Sequence, residues 1–171
     1  VNSGAGDDSL TLNFGTGLII PVGGLTFNGG VGGNDSLVLN NVNSNYTSET
    51  FNYTNPTDGT IVLGGASSVQ GTTIDLSTTG GGVTQAAGGV LSASAALRSA
   101  SGVVGTVALA GTANTVAILG TVAVTSGDLT LFDAKGLQVQ GSVSAGNIQL
   151  TAVTIADTGS IVGSGLTKLI A

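Results

Sequence analysis

Two glycine- and aspartate-rich segments hold the residues best suited to bind a metal ion. The first contains Asp7 and Asp8, and the second contains Asn34 and Asp35. Carboxylate and amide oxygens are ligands that calcium prefers, and glycine allows the sharp turn that gathers them. The same side chains can instead accept backbone N–H groups and stabilise a turn. The sequence therefore leaves two interpretations, a calcium site and a structural turn.

Both segments, residues 3–11 and residues 30–38, are similar to the calcium-binding nonapeptide of repeats-in-toxin proteins. That resemblance implies calcium bound between successive turns. The nonapeptide normally occurs in tandem because adjacent turns share each calcium, whereas here each copy stands alone. We therefore favour the structural turn and keep calcium as the alternative cofactor.

Residues that could carry catalysis are scattered along the chain. There is no His to act as a general base, and the three cations Arg98, Lys135 and Lys168 are far apart in sequence. No Ser has a recognisable activating partner. Asp128 and Asp133 are the best candidates for a carboxylate pair on one face, but such acids usually cap turns. We expect no enzymatic activity.

A polar stretch near residues 40–58 contains both tyrosines of the chain. We expect the part between Tyr46 and Tyr53 to form an extended hairpin or loop that leaves the scaffold. Loops of this kind often carry recognition surface, so both rings are candidates to bind a carbohydrate or a host surface. The alternative is a solvated loop whose rings lie on the scaffold. Asn45 and Asn52 each begin an N-glycosylation triplet.

The bulk composition excludes several classes of protein. Only 7% of the 171 residues are charged, against about 25% in an ordinary domain, while 41% are hydrophobic and the net charge is −6. Regularly recurring Val, Leu and Ile argue against disorder. Nucleic-acid binding needs clustered Lys and Arg, which are missing. The absence of Cys excludes disulfides and thiolate metal sites.

One uncharged stretch, residues 103–124, is long enough to cross a membrane as a helix. Its Gly, Thr and Asn content and its alternating branched residues are instead typical of strands. We therefore expect no membrane span. Residues 90–101 are rich in Ala, and predict either one or two helical turns or strands in a tight coil.

A near-repeat in the last third indicates how these residues are positioned. Residues 120–131 recur as residues 141–150, and both copies open on a Gly-x-Val triplet and close on a Leu/Ile-x-Leu triplet. The second copy is shorter because Thr125 and Ser126 have no counterpart in it. Short strand-like runs that recur about every 20 residues predict coils that stack on one another. Residues 76–171 show this pattern regularly, and residues 1–75 show it less regularly.

The predicted fold is therefore all-β, a parallel β-helix with about 20 residues per coil that spans residues 1–171 as one segment. Equivalent residues would stack at the inter-strand spacing of about 4.8 Å, with Leu131 over Leu150 and Val122 over Val143. Alternating apolar and polar residues also fit an antiparallel β-sandwich, which is the alternative fold.

Three stretches, residues 114–120, 127–131 and 136–150, resemble the filamentous-haemagglutinin-like repeats of large secreted bacterial adhesins and autotransporter passengers. The resemblance covers roughly residues 75–165. It implies a right-handed parallel β-helix, export across the outer membrane and service as a surface fibre or stalk.

We therefore expect a structural role, as a solenoid segment of a secreted bacterial surface fibre, surface layer or adhesin. Its expected partners are further coils, either of a parent chain or of a second copy stacked end to end. The alternative function is a carbohydrate- or host-surface-binding module at the tyrosine-rich stretch. The expected location is extracellular.

Overall fold

The computed structural model describes residues 1–13, 25, 27, 36–40, 43–52, 61–63, 68–78 and 80–171. Within these ranges the chain forms β-strands and no helix. The strands are β1 (Ser9–Asn13), β2 (Ser36–Asn40), β3 (Asn43–Asn52), β4 (Ile61–Leu63), β5 (Ser68–Ser77), β6 (Val83–Gln85), β7 (Val90–Arg98), β8 (Val107–Leu109), β9 (Thr115–Val116), β10 (Ile118–Leu119), β11 (Val122–Ala123), β12 (Leu129–Phe132), β13 (Gly136–Val139), β14 (Ser142–Ala145), β15 (Ile148–Thr151), β16 (Thr154–Asp157), β17 (Ser160–Gly163) and β18 (Thr167–Ile170).

These strands form three parallel sheets. Sheet A has the order β1-β2-β4-β6-β8-β12-β15-β18, sheet B the order β3-β5-β7-β10-β13-β16 with β9 also paired to β7, and sheet C the order β11-β14-β17. From β12 onward the chain visits sheets A, B and C in turn and then repeats. The fold is thus a β-solenoid with roughly 20 residues per coil, as predicted, and not an antiparallel sandwich.

The predicted register is confirmed at the near-repeat. Leu131 pairs with Leu150 in sheet A, and Val122 pairs with Val143 in sheet C. Coil length varies along the chain, because more residues separate β1 from its neighbour β2 than separate β12 from its neighbour β15. The additional residues lie between β1 and β2 in the sequence, and the pairs from Ser9–Ser36 to Asn13–Asn40 follow one another without a shift.

The core consists of columns of like side chains that run from coil to coil. Alternate residues of β12 and β15 point inward, which gives the alternation of buried and exposed side chains along each strand. Two columns in sheet A and one in sheet B are each no more than 3% exposed. They are Val107-Leu129-Ile148, Leu109-Leu131-Leu150 and Ile74-Leu97-Leu119-Val139. Burying each such side chain contributes about 1.5–3 kcal/mol.

The two stretches with helical potential both form strands. Residues 90–101 contain β7, which settles the choice between helical turns and strands, and residues 103–124 contain β8 to β11. None of the described residues belongs to a helix that could cross a membrane. The alternation of branched residues thus predicted these strands better than the Ala content or the length of the uncharged stretch did. A strand that buries one face needs an apolar residue at every second position.

The part between Tyr46 and Tyr53 was predicted to leave the scaffold as a hairpin or loop, but as far as Asn52 it belongs to a strand of the scaffold. Residues Asn43–Asn52 form β3, which pairs with β5 in parallel. The pairing begins with Asn43 opposite Ser68 and ends with Asn52 opposite Ser77. Strand pairing uses backbone groups, so a polar composition does not prevent it. Residues 53–58 lie outside the described residues.

Glycines permit the close approach of coils at the corner between sheets B and C. Gly120 and Gly141 begin the two copies of the near-repeat, and Gly159 occupies the same place in the next coil. A Cβ on Gly141 would overlap the backbone of Gly120 and Thr121, and one on Gly159 would overlap the carbonyl of Gly141. A Cβ on Gly120 would meet its nearest neighbour, the Cβ of Arg98, at 3.4 Å.

This difference gives a matched pair of substitutions. We predict that Gly141→Ala lowers stability by about 2 kcal/mol or more, because backbone atoms must move apart, as in an overpacked core. Gly120→Ala should cost less than about 1 kcal/mol, because its new Cβ makes nearly ordinary contact. Urea unfolding followed by far-ultraviolet circular dichroism would measure both. Equal effects of the two substitutions would contradict the close-approach account.

Candidate functional site

The first glycine–aspartate segment forms a turn that only glycine adopts readily. Gly4 and Gly6 have φ angles of 120° and 113°. Asp7 is exposed and Asp8 is partly buried. The strands that follow the two segments are direct neighbours, since Ser9 pairs with Ser36. The glycines therefore meet the requirement of the turn interpretation.

Asn34 and Asp35 of the second segment lie outside the described residues. Among the residues that the structure does describe, no group of three or more His, Cys, Asp or Glu side chains comes together as a metal site. Calcium binding stays a prediction.

Two buried amide side chains form a paired contact between coils. Asn114 is 0% exposed and Gln85 is 7% exposed. The amide nitrogen of Gln85 donates to Asn114 Oδ1 at 2.6 Å, and that of Asn114 donates to Gln85 Oε1 at 2.9 Å. The same oxygens accept the backbone N–H groups of Leu91 and Gly111 at 2.8 and 2.9 Å. The pair therefore satisfies its own polar atoms and the backbone beside it.

The two acids proposed as a pair lie at opposite ends of β12. Asp133 is 1% exposed, and its two carboxylate oxygens accept the backbone N–H groups of Val116 and Lys135, each at 2.6 Å. Asp128 is exposed at the other end of the strand. The two carboxylates therefore do not share a face, and each oxygen of Asp133 accepts a backbone donor.

Asp128 belongs to a ladder of side-chain acceptors along one corner. Its backbone N–H donates to Thr106 Oγ1 at 3.4 Å, and its own Oδ1 accepts the N–H of Asn147 at 2.8 Å. Asn147 Oδ1 in turn accepts the N–H of Leu166 at 2.9 Å. Each coil thus offers an oxygen to the next coil, and the ladder ends at Leu166, whose side chain has no oxygen to offer.

A third polar corner surrounds Asp75, which is 4% exposed. Its Oδ2 forms an ion pair with Arg98 Nε at 3.0 Å, and its Oδ1 accepts the hydroxyl of Ser77 and the N–H of Ala100 at 2.9 and 3.0 Å. Ser77 Oγ accepts the N–H of Ser101 at 3.1 Å. These contacts again join one coil to the next.

Asp75, Asp128, Asp133 and the buried amide pair therefore join successive coils. The sequence analysis did not predict this role in joining coils for Asp75, Gln85 or Asn114. A signal existed for Gln85, because the run Val83-Thr84-Gln85 alternates and places Gln85 on the inward side. No such signal marks its partner Asn114, which belongs to a later coil.

The coil formed by β16, β17 and β18, called here the outer coil (residues 154–170), exposes apolar side chains. Its three strands are each the last in their sheet. Leu169 continues the column of Leu150, yet it is 48% exposed where Leu150 is 0% exposed. Val162 and Leu166 are 59% and 67% exposed. The outer coil therefore presents both free strand edges and uncovered apolar surface.

The structure does not define a site from the proposed binding and glycosylation residues. Tyr46, Asn45 and Asn52 lie on β3, where Tyr46 pairs with Gly71 through the backbone. Tyr53 lies outside the described residues. A ligand at the tyrosines and glycans at the asparagines stay predictions.

No protein-family model, curated protein or solved structure matches this chain. The repeat architecture is thus shown by the coil geometry, and the filamentous-haemagglutinin-like family remains a resemblance.

The turn interpretation predicts that calcium leaves stability unchanged. If the carboxylates of Asp7 and Asp8 serve only as turn acceptors, the melting temperature should be the same in millimolar calcium, in magnesium and in chelator. Differential scanning calorimetry would measure it. A calcium ligand would instead raise stability by about 2.7 kcal/mol at one hundred times its dissociation constant. A rise seen with calcium alone, and lost in Asp7→Ala, would overturn the turn interpretation.

Proposed function

We propose that this chain is a structural segment of a secreted bacterial surface fibre, surface layer or adhesin. The observation that carries the proposal is the outer coil, where three sheets end together on uncovered apolar side chains. Monomeric proteins usually protect strand edges with charges, proline or covering loops. Here the exposed Leu169 would be covered by another coil laid on top, as Leu150 is covered now.

The mechanism follows from the interactions between the described coils. A coil stacked on β18 would pair its backbone with the free edge and place an apolar side chain over Leu169, as Leu150 and Leu169 are placed now. Repetition of that step lengthens a rod without any new kind of contact. The resemblance of the regular coils to repeats of secreted adhesins supports a location outside the cell.

The proposed partner is a further coil, from a parent chain or from a second copy placed end to end. We predict that the 171-residue chain assembles into rods as its concentration rises. Leu169→Lys should abolish assembly, because it places a charge where the next apolar side chain would lie. Sedimentation velocity with negative-stain microscopy would measure both length and mass.

Gln149→Lys is the matched control, because Gln149 is exposed and points away from the core one coil earlier. It should leave assembly unchanged. A chain that stays monomeric at every concentration, or equal loss of assembly in both variants, would contradict end-to-end stacking through the outer coil.

A further inference from the structure

A shallow groove of about 290 Å³ lies on the solvent side of sheet B. Ser92, Ser94, Thr115 and Lys135 are its polar lining residues, and the other lining residues are Ala, Val and Gly. This volume is near the lower end of about 300–1,000 Å³ for ligand pockets, so the groove suits one small ring rather than a long polymer. It uses none of the residues of the outer coil.

The groove forms where the regular stacking of sheet B is interrupted. Gly71 pairs with Ala93, but the next pair is Thr73 with Ala96, so β7 bulges at Ser94. In the following coil, a bend at Ala117 separates β9 from β10. Bulges re-aim side chains and are common beside functional sites. Two successive coils thus depart from the column pattern at the same place.

In the coil that contains Lys135, a carboxylate side chain accepts backbone N–H groups in place of a strand carbonyl. The N–H of Val116 donates to Asp133 Oδ2 at 2.6 Å, and that of Lys135 donates to Asp133 Oδ1 at 2.6 Å. The carbonyl of Lys135 accepts the N–H of Val153 at 2.7 Å. The backbone of Lys135 is therefore held on both sides, and Lys135 is one of the residues that line the groove.

Lys135 brings one positive charge to the lining of the groove, and among the described residues no ion pair joins it to an acid. Asp133, two positions earlier, accepts backbone N–H groups, and the ion pair found among the described residues joins Arg98 to Asp75. No carboxylate lines the groove. The single ammonium group of Lys135 among uncharged lining residues offers a charge-assisted hydrogen bond to a ligand with one negative charge.

The hydroxyl groups define the rest of the ligand. Ser92 Oγ and Thr115 Oγ1 lie 2.8 Å apart and share one hydrogen bond, so the hydroxyl that accepts keeps its own proton for a ligand. Hydroxyls that both donate and accept match the hydroxyls of a sugar. We propose that this groove binds a uronic acid residue, with the carboxylate at Lys135 and the ring hydroxyls at Ser92 and Thr115.

The test is a titration of the ¹⁵N-labelled chain with D-glucuronate, followed by two-dimensional NMR. We expect saturable shifts at the amides of Ser92, Thr115 and Lys135. Lys135→Gln should weaken binding about tenfold, because one charge-assisted hydrogen bond is lost. D-glucose, which lacks the carboxylate, and acetate, which lacks the ring, should each bind at least about tenfold more weakly.

Lys168→Gln is the matched control, because it removes the same charge from β18, outside the groove. It should bind glucuronate as the original chain does, and both variants should retain the original strand spectrum by circular dichroism. Absence of saturable shifts, equal weakening by both substitutions, equal binding of glucose, or equal binding of acetate would each overturn the proposal. None of these results bears on stacking at the outer coil.

Discussion

In-register parallel pairing between one coil and the next is the interaction on which the rest of this structure depends. It places Leu131 on Leu150 and Val122 on Val143, so that like side chains form continuous buried columns. A single coil has too little apolar area to bury on its own, and stability therefore comes from stacking. Anything that shifts the register by one residue would turn a whole column outward.

The polar residues serve the same stacking. The Gln85–Asn114 pair and the carboxylates of Asp75 and Asp133 all satisfy backbone groups at or beside the corners, where strand pairing stops. A buried N–H without an acceptor costs about 1–3 kcal/mol, so these side chains remove a penalty rather than add a catalytic group. The groove at Lys135 lies where the Asp133 carboxylate accepts backbone N–H groups beside a bulge in β7.

Sequence patterns predicted the fold better than the site. The columns were predictable because Leu131 and Leu150 occupy equal places in a visible repeat. The strand Asn43–Asn52 was not predictable, because its polar composition is typical of a loop although its backbone pairs as in any other strand. The buried Asn114 and the bulge at Ser94 depend on which residues of distant coils face each other. Which residues face each other is set by the register between coils, and this register cannot be read from a short stretch of sequence.

The most direct test of in-register stacking uses the absence of native Cys. Thr130 pairs with Gln149, and Gln149 pairs with Lys168, all on the outward side of sheet A. Adjacent paired residues lie about 4.8 Å apart, within the range that a disulfide spans, whereas residues two coils apart do not. Mild oxidation followed by mass spectrometry of the monomer should show a disulfide in the Thr130→Cys/Gln149→Cys variant and none in the Thr130→Cys/Lys168→Cys variant. A disulfide in the second variant but not in the first would contradict the account.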